Sequence, residues 1–294
     1  MGMKNRPVLA IGAFGMVLCG VLGIAAAQQN APAVTAVQIA QIVGGADRTA
    51  ADRTNDLRRK PEQMLAFIGV RPGMVALDIS AAGGYTTELL ARAIGPTGMV
   101  FGQSRPRNPN QVVTPPAAPE GNSHPNIAPS AAPVASPAGG PRPSPAALAD
   151  RVERMRAAGV AAAPITAVAQ AFESPVPQEL AAGGLDLATL IFNYHDLGHS
   201  GVDRAAMNRA VFSALKPGGI YVIADHAGRP GTGISEAGTL HRIEEAFLRK
   251  EVEAAGFRLL AEGRFLSNPN DPRDKNTPDP AQPKDEFVLK FVKP

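Results

Sequence analysis

Two histidine–aspartate pairs are the residues of this chain best suited to acid–base chemistry. His195 and Asp196 follow one apolar run, and Asp225 and His226 follow another. A neutral imidazole accepts a proton from a hydroxyl or an amine, and a neighbouring carboxylate orients the ring and raises its basicity. We therefore predict that these four side chains take part in catalysis, with His195 as the base.

Other roles for these residues remain open. Either pair could have a structural role, closing a strand end or a loop. The same side chains could ligate a metal together with His199 and His241, since His195 and His199 stand four residues apart. However, the chain contains no compact motif such as His-Glu-x-x-His. We therefore expect no bound metal and interpret His241 as a structural or surface residue.

A loop of small residues, Ser80 to Gly84, is the third candidate. It follows an apolar run that ends in Asp78 and Ile79, and it precedes a helical pattern. Small side chains let backbone N–H groups at a helix start approach a ligand closely. The loop predicts a ligand-binding turn; the alternative is a tight turn in an α/β domain that binds no nucleotide.

The candidate residues stand where predicted strands end. We predict strands over Met74–Ile79, Met99–Gln103, Ile165–Phe172, Leu185–Asn193, Ile220–Asp225, Phe257–Glu262 and Phe287–Val292. We predict helices over Glu62–Ile68, Tyr85–Ile94, Pro145–Ala158, Asp203–Leu215 and Ser235–Ala255, and a turn over Lys216–Gly219. Apolar strands that alternate with helices indicate a doubly wound, mostly parallel α/β sheet, in which ligands bind beyond the carboxyl ends of the strands. The last strand has no helix before it, so we expect it to be antiparallel.

The start of the chain predicts an exported protein. Residues 1–27 have the pattern of a signal peptide: Lys4 and Arg6 precede the apolar stretch Val8–Ile24, and three alanines stand before Gln28. A retained anchor is the alternative, since about 17 apolar residues approach the lower limit of a spanning helix. Cleavage predicts a periplasmic location without stable membrane insertion.

Composition narrows the possible partners. The single cysteine, Cys19, leaves with the signal, so the mature chain has no disulfide and no thiolate ligand. Cleavage leaves 27 basic against 26 acidic side chains, and the longest basic run is Arg58–Lys60. This balance argues against a nucleic-acid partner. The oligomeric state does not follow from the sequence.

The mature chain divides into one domain and two further segments. Residues 28–46 are rich in alanine, glutamine and valine and predict a flexible tether. Residues 47–294 form the domain, which residues 105–146 interrupt with twelve prolines and eight alanines. Such an insertion buries too little apolar surface to offset its ordering entropy, so we predict that it is disordered.

Several motifs together resemble one family of proteins. They are Arg71-Pro72-Gly73, Gly83-Gly84-Tyr85-Thr86-Thr87-Glu88-Leu89-Leu90, Tyr194-His195-Asp196-Leu197, Leu215-Lys216-Pro217-Gly218-Gly219, Asp225-His226, His241-Arg242-Ile243, Gly256-Phe257 and Phe287-Val288-Leu289-Lys290-Phe291-Val292-Lys293-Pro294. Over residues 47–104 and 146–294 the chain resembles the class I, seven-stranded, S-adenosylmethionine-dependent methyltransferases. Within them it is most similar to a family of exported bacterial predicted methyltransferases.

The resemblance implies S-adenosylmethionine as the cofactor. That class carries Asp/Glu-x-Gly-x-Gly-x-Gly after its first strand, and here the register is Asp78-x-Ser80-x-Ala82-x-Gly84. A second departure is at the end of the second strand, where the class has an acid for the ribose hydroxyls and this chain has Gln103 or Ser104. The residues that the resemblance assigns to the cofactor are Asp78, Ser80, Ala82, Gly83, Gly84, Tyr85, Gln103 and Asn193.

The sequence therefore leaves three functions open. The first is transfer of the S-adenosylmethionine methyl group to a small-molecule acceptor. The second is a non-catalytic or repurposed binding protein of the same fold, because the cofactor is made in the cytosol and the signal sends the chain out. The third is a metal-assisted hydrolase that uses the histidines.

Overall fold

The computed structural model describes residues 1–2, 31–106, 144–278 and 280–294. Its contacts divide the chain into Met1–Pro32 and Ala33–Pro294, and every element below belongs to the second unit. Most of the predicted signal peptide and most of the predicted insertion lie outside the described residues. Ser144 to Ala146, at the end of the predicted insertion, belong to the helix that the sequence predicts from Pro145.

One sheet of seven strands organises this unit, in the order β3-β2-β1-β4-β5-β7-β6. The strands are β1 Val75–Ile79, β2 Met99–Ser104, β3 Ile165–Ala169, β4 Leu185–Ile191, β5 Leu215–His226, β6 Arg258–Gly263 and β7 Glu286–Val292. The first five strands pair in parallel, whereas β7 runs antiparallel to both β5 and β6. The structure thus confirms the doubly wound sheet of the Rossmann-like methyltransferase fold, with its antiparallel last strand.

The helices pack around this sheet. They are α1 Ala36–Gly44, α2 Ala50–Arg59, α3 Pro61–Ile68, α4 Tyr85–Ile94, α5 Ser144–Ala157, α6 Tyr194–His199, α7 Arg204–Ala214, α8 Ala237–Leu240 and α9 Glu245–Glu253. Pro61 occupies the first turn of α3, where its missing N–H has no intrahelical acceptor to lose. None of the helices within the described ranges has the length and hydropathy needed to cross a membrane.

Strand β1 is buried on both faces because helices cover both sides of the sheet. Successive side chains of a strand point to opposite faces. Leu77 and Ile79 accordingly join one apolar cluster, while Ala76 joins the other. This burial fixes the position of the loop that follows β1.

Part of the predicted tether is a helix. Thr35 caps α1 through a capping box with Gln38, and Ile39 and Val43 are buried. The prediction of a flexible tether over residues 28–46 is therefore wrong at Ala36–Gly44. Its two buried apolar side chains, four residues apart, supply the packing that this short helix needs.

The predicted helix Ser235–Ala255 is broken into α8 and α9. His241 adopts a left-handed backbone, with φ of 51°, directly after α8. Arg242 is fully buried, pairs with Asp271 and donates to the carbonyl oxygen of Ala227. These contacts with distant segments hold residues 241–244 away from a helical path.

Several strand boundaries also differ from the prediction by one or more residues, most clearly at β3 and β5. Strand β3 ends at Ala169 rather than Phe172. The predicted turn Lys216–Gly219 lies inside β5, where the register against β4 shifts between Leu185 and Leu187. The extra residues are accommodated as an irregularity of the strand.

Candidate functional site

A cleft of about 210 Å³ opens at the carboxyl ends of β1 and β4. Its walls come from the loop after β1, the residues after β4, and helices α2, α4 and α5. Of the residues that the sequence assigns to a cofactor, six line it: Asp78, Ser80, Ala82, Gly83, Tyr85 and Asn193. Gly84 and Gln103 are not among the lining residues.

The loop after β1 keeps the backbone of a glycine-rich loop. Ser80 has φ of 59°, Ala82 has φ of 46° and Gly84 has φ of 75°. All three lie in the left-handed region, which costs a residue with a β-carbon about 1–2 kcal/mol. Ser80 and Ala82 therefore hold a conformation that favours glycine, at the two positions where the resemblance expects glycine.

Helix α5 clamps the other side of this loop. A β-carbon on Gly84 would lie 2.6 Å from Cδ2 of Leu148, so a larger residue would have to displace that side chain. Arg151 donates to the carbonyl oxygen of Gly83 and pairs with Asp52, 2.8 Å away, and with Glu88. The loop is thus tied through one guanidinium to α2, α4 and α5.

Asp78 stands below the loop and is almost completely buried. It accepts hydrogen bonds from the hydroxyls of Thr87, at 2.6 Å, and Thr189, at 2.8 Å. Burial raises its pKa to about 6, although these two hydrogen bonds favour the ionised form. The carboxylate therefore joins β1, α4 and β4 beneath the cleft.

Gln103 serves the loop rather than the cleft. It is fully buried, its Oε1 accepts from the backbone N–H of Ser80 at 2.9 Å, and its Nε2 donates to the carbonyl oxygen of Gln170 at 2.7 Å. Both polar atoms of the side chain are engaged inside the protein. The sequence places Gln103 at the right strand end but does not reveal that its amide holds the loop.

Several residues of the cleft were not predicted from the sequence, among them two polar residues of α2. Arg59 and Asn55, both on α2, line the cleft. The guanidinium of Arg59 lies over the rings of Tyr85, at 5.2 Å, and Phe192, at 5.0 Å. The basic run Arg58–Lys60 is the only signal in the sequence for this cation, and it does not show which side chain enters the cleft.

The second part of the site is a cluster of histidines and carboxylates at the ends of β4 and β5. Nδ1 of His195 lies 2.6 Å from Oδ1 of Asp225. Asp225 also accepts from the backbone N–H groups of His195, at 2.9 Å, and His226, at 2.8 Å. Both His195 and Asp225 are fully buried. Asp225 therefore fixes the orientation of the His195 ring.

Asp196 lies between two imidazoles. Its Oδ1 is 3.3 Å from Nε2 of His195 and 3.0 Å from Nδ1 of His241, while its Oδ2 accepts from the amide of Asn193 at 3.1 Å. Burial raises the pKa of Asp196, but the contacts with the two histidines outweigh it and lower the pKa below its usual value. His241, which the sequence assigned to structure or surface, thus belongs to the cluster.

His226 occupies a separate, deeper position. Its Nδ1 lies 3.0 Å from Oε1 of Glu286, which also pairs with Arg58 at 2.7 Å. Burial, followed by the positive charge of Lys284, lowers the pKa of His226 well below its usual value. Burial also raises the pKa of Glu286 to about 7, against the effect of Arg58. We therefore expect His226 to be neutral at physiological pH.

Phe192 and Asn193 connect the cleft to the cluster. Both line the cleft; the Phe192 ring stacks on His226 at 5.4 Å, and Asn193 donates to Asp196. Phe192 has φ of 60°, an uncommon conformation for a bulky side chain, and its N–H bonds to the carbonyl oxygen of Ala224 at 2.7 Å. Strained backbone of this kind is frequent at functional sites.

The structure thus brings together the four residues predicted to be catalytic. His195, Asp196 and Asp225 share direct contacts, and His226 lies beside them with its ring 5.4 Å from that of His195. His199 is exposed and lies outside the group of His195, Asp196 and His241 that could hold a metal. The catalytic roles themselves stay predictions.

Comparisons with known proteins give similarity of fold. No model of a known protein family matches the chain, and no curated protein matches it. A solved S-adenosylmethionine-dependent methyltransferase from Aquifex aeolicus is 14% identical over 84% of this chain and 100% of that chain, with a TM-score of 0.48. One from Clostridium acetobutylicum is 10% identical over 87% and 96%, with a TM-score of 0.44. At these sequence identities and TM-scores, the fold is identified by the order of strands in the sheet and not by the similarity to these structures.

Proposed function

We propose that this protein is an S-adenosylmethionine-dependent methyltransferase that acts on a small molecule. One observation carries the proposal: Ser80, Ala82 and Gly84 all keep a left-handed backbone around a cleft at the end of β1. A chain under no demand for this shape would not place serine and alanine in conformations that cost them free energy. The strand order of the sheet supports the same assignment.

The residues of the cleft fit the amino-acid end of the cofactor. Backbone groups of the loop after β1 would cradle it, and the Arg59 guanidinium would pair with its carboxylate, as arginine does in many carboxylate sites. Asn55 offers a neighbouring amide. Gln103, whose amide is engaged within the protein, adds nothing for the ribose.

Methyl transfer would depend mainly on positioning. When bound, the cofactor supplies an electrophilic methyl group on a sulfonium. Asp196 and His241 expose 26% and 18% of their side chains, whereas His195 exposes none. We therefore assign contact with the acceptor to Asp196 and His241 and not to His195, which the sequence predicts as the base. His195 and Asp225 would orient Asp196. Holding the acceptor in line supplies most of the rate enhancement.

Calorimetric titration of the mature protein with S-adenosylmethionine and S-adenosylhomocysteine tests the cofactor assignment. We expect saturable binding of both. Ala82→Val should weaken it, because a branched side chain is strained at this φ and enters the cleft. Ala161→Val, at an exposed alanine outside the cleft, is the matched control. No binding at millimolar ligand would remove the proposal.

The role of Arg59 is tested with a truncated ligand. Arg59→Gln should weaken S-adenosylmethionine binding but leave methylthioadenosine, which lacks the amino-acid end, unaffected. Arg53→Gln, at an exposed arginine of the same helix, should change neither. Equal weakening of both ligands would mean that Arg59 supports the fold and not the carboxylate.

The binding-protein alternative is tested by turnover. Mature protein with S-adenosylmethionine and a panel of small alcohols, phenols, amines and thiols should form S-adenosylhomocysteine with at least one acceptor class. Binding of the cofactor without product across the panel would favour the non-catalytic function. The alternative is supported by Gln103, whose buried amide is engaged within the protein and offers nothing to the ribose.

We also propose that the protein acts in the periplasm. The proposal is supported only by the pattern of residues 1–27. A reporter fused to residues 1–30 should be exported, and retention of the reporter in the cytoplasm would contradict the proposal.

A further inference from the structure

Three side chains beside the cleft converge on one point. Nε2 of His195 and Nδ1 of His241 lie 3.3 Å and 3.0 Å from the same carboxylate oxygen of Asp196. One ligand atom from each residue lies within 4.8 Å of the others. Two imidazole nitrogens and one carboxylate oxygen form a donor set that suits divalent transition metals.

The His195 ring is oriented for ligation. Its Nδ1 lies 2.6 Å from Asp225, and a ring proton on Nδ1 would be held there by this buried carboxylate. Nε2 then directs a lone pair toward Asp196. A lone pair and a carboxylate oxygen 3.3 Å apart repel each other unless a cation, either a proton or a metal ion, lies between them. The carboxylate–histidine–metal arrangement has this form.

The other two groups are also held in place. Asn193 donates to Oδ2 of Asp196, which leaves Oδ1 directed toward the two imidazoles. His241 reaches the cluster only because its backbone is left-handed and breaks the helical path after α8. The strained backbone therefore belongs to the same residue whose side chain contacts Asp196.

We propose that Nε2 of His195, Oδ1 of Asp196 and Nδ1 of His241 bind one divalent transition-metal ion, with Zn²⁺ as the first candidate. Ligand atoms at tetrahedral positions about 2.0–2.1 Å from zinc lie about 3.3 Å apart, close to the two measured separations. Three protein ligands leave a fourth position, as catalytic zinc sites do. Asp196 and His241 are partly exposed, so the fourth position faces solvent.

This site does not depend on methyl transfer. The ion would be held by three side chains of this chain alone, and its binding is measured without S-adenosylmethionine. If both proposals hold, the open position lies beside the cleft, where Asn193 links the two. An acceptor oxygen or sulfur bound there would lose its proton more easily, as zinc-bound water does.

Titration of chelator-washed mature protein with Zn²⁺ alone, and with Co²⁺ followed by visible absorption, tests the proposal. We expect one equivalent of each ion to bind. Asp196→Asn and His241→Asn should each weaken binding at least 100-fold, and asparagine tolerates the left-handed backbone at residue 241. Asp225→Asn, at a positioning residue, should weaken it 10–100-fold.

His199→Ala is the matched control, since His199 is an exposed histidine of the same short helix. It should bind as wild type does, and circular dichroism should show that every variant is folded. Binding well below one equivalent overturns the proposal, as does affinity that survives both Asp196→Asn and His241→Asn. In that case protons bridge Asp196 to the two imidazoles.

Discussion

The two halves of the candidate site are built by different means. At the half proposed for the cofactor, the loop Ser80–Gly84 is shaped by its backbone, and the polar side chains beneath it point inward to support that shape. At the half proposed for the acceptor, the site is made by the interacting side chains of His195, Asp196 and Asp225.

Because of this difference, the two halves tolerate different amino-acid substitutions. A loop defined by φ angles responds to the presence or absence of a β-carbon. A cluster of charged groups in a buried setting responds to the loss of any one partner, because the remaining groups keep their desolvation cost. Variants of each half test this contrast, and the chain's lack of tryptophan makes circular dichroism the suitable probe of their unfolding.

The largest expected effect is at the acceptor half. Asp225→Ala removes the acceptor for three buried donors, so we expect the free energy of unfolding to fall by about 3–5 kcal/mol. Asp196→Ala, at a carboxylate with 26% of its side chain exposed, should cost about 1 kcal/mol. Urea unfolding in chelator-treated buffer measures both. Equal losses would mean that burial does not separate the two carboxylates.

Asp78 gives the cofactor half a pH dependence. Its folded-state pKa of about 6 lies above the usual 3.8, so its stabilising effect is complete below pH 4 and is lost as pH rises through 6. In the Asp78→Asn variant this loss of stability does not occur, because the amide does not ionise. Relative to wild type, the variant should gain about 2 kcal/mol of unfolding free energy between pH 4 and pH 7. A difference that stays constant with pH would show that Asp78 is not strained by burial.

Restoring the expected acid at the end of β2 should fail. Gln103→Glu can still accept from Ser80, but its carboxylate meets the carbonyl oxygen of Gln170 without a proton to donate. We expect a loss of about 2–3 kcal/mol in unfolding free energy and no gain in cofactor affinity. Tighter binding of S-adenosylmethionine by this variant would contradict the inward role of Gln103.

The smallest effect is the sharpest test of the loop. Ala82→Gly removes the strain of an alanine in the left-handed region, whereas glycine adds conformational entropy to the unfolded chain. The first effect is the larger, so we expect the free energy of unfolding to rise by about 0.5 kcal/mol. Ala81→Gly, next to it without a positive φ, should lower it by a similar amount. Urea unfolding of the pair distinguishes a strained loop from an ordinary one, in which both changes would destabilise.

The elements that local pattern determines were predictable from the sequence. Helix α4 has the predicted bounds, Tyr85 and Ile94, because glycines flank both ends. The order of strands and helices, and the antiparallel β7, follow from apolar runs and the missing helix before that strand. The same runs place Asp78, His195 and Asp225 at one edge of the sheet.

What the sequence could not supply depends on contacts between distant segments. His241 joins the cluster because Arg242 is held by Ala227 and Asp271, which breaks a pattern that is helical by itself. Gln103 turns inward because a carbonyl oxygen 67 residues later accepts its amide. Neither partner is visible in the local sequence.

The charged clamp around the loop has a consequence for ionic strength. Arg151 and Arg154 join α5 to Glu88 and Asp52, whose side chains are only 1% exposed. Dissolved ions screen exposed charges over about 10 Å at 0.1 M salt but reach buried pairs far less. The wall of the cleft is therefore expected to keep its shape from dilute buffer to concentrated salt.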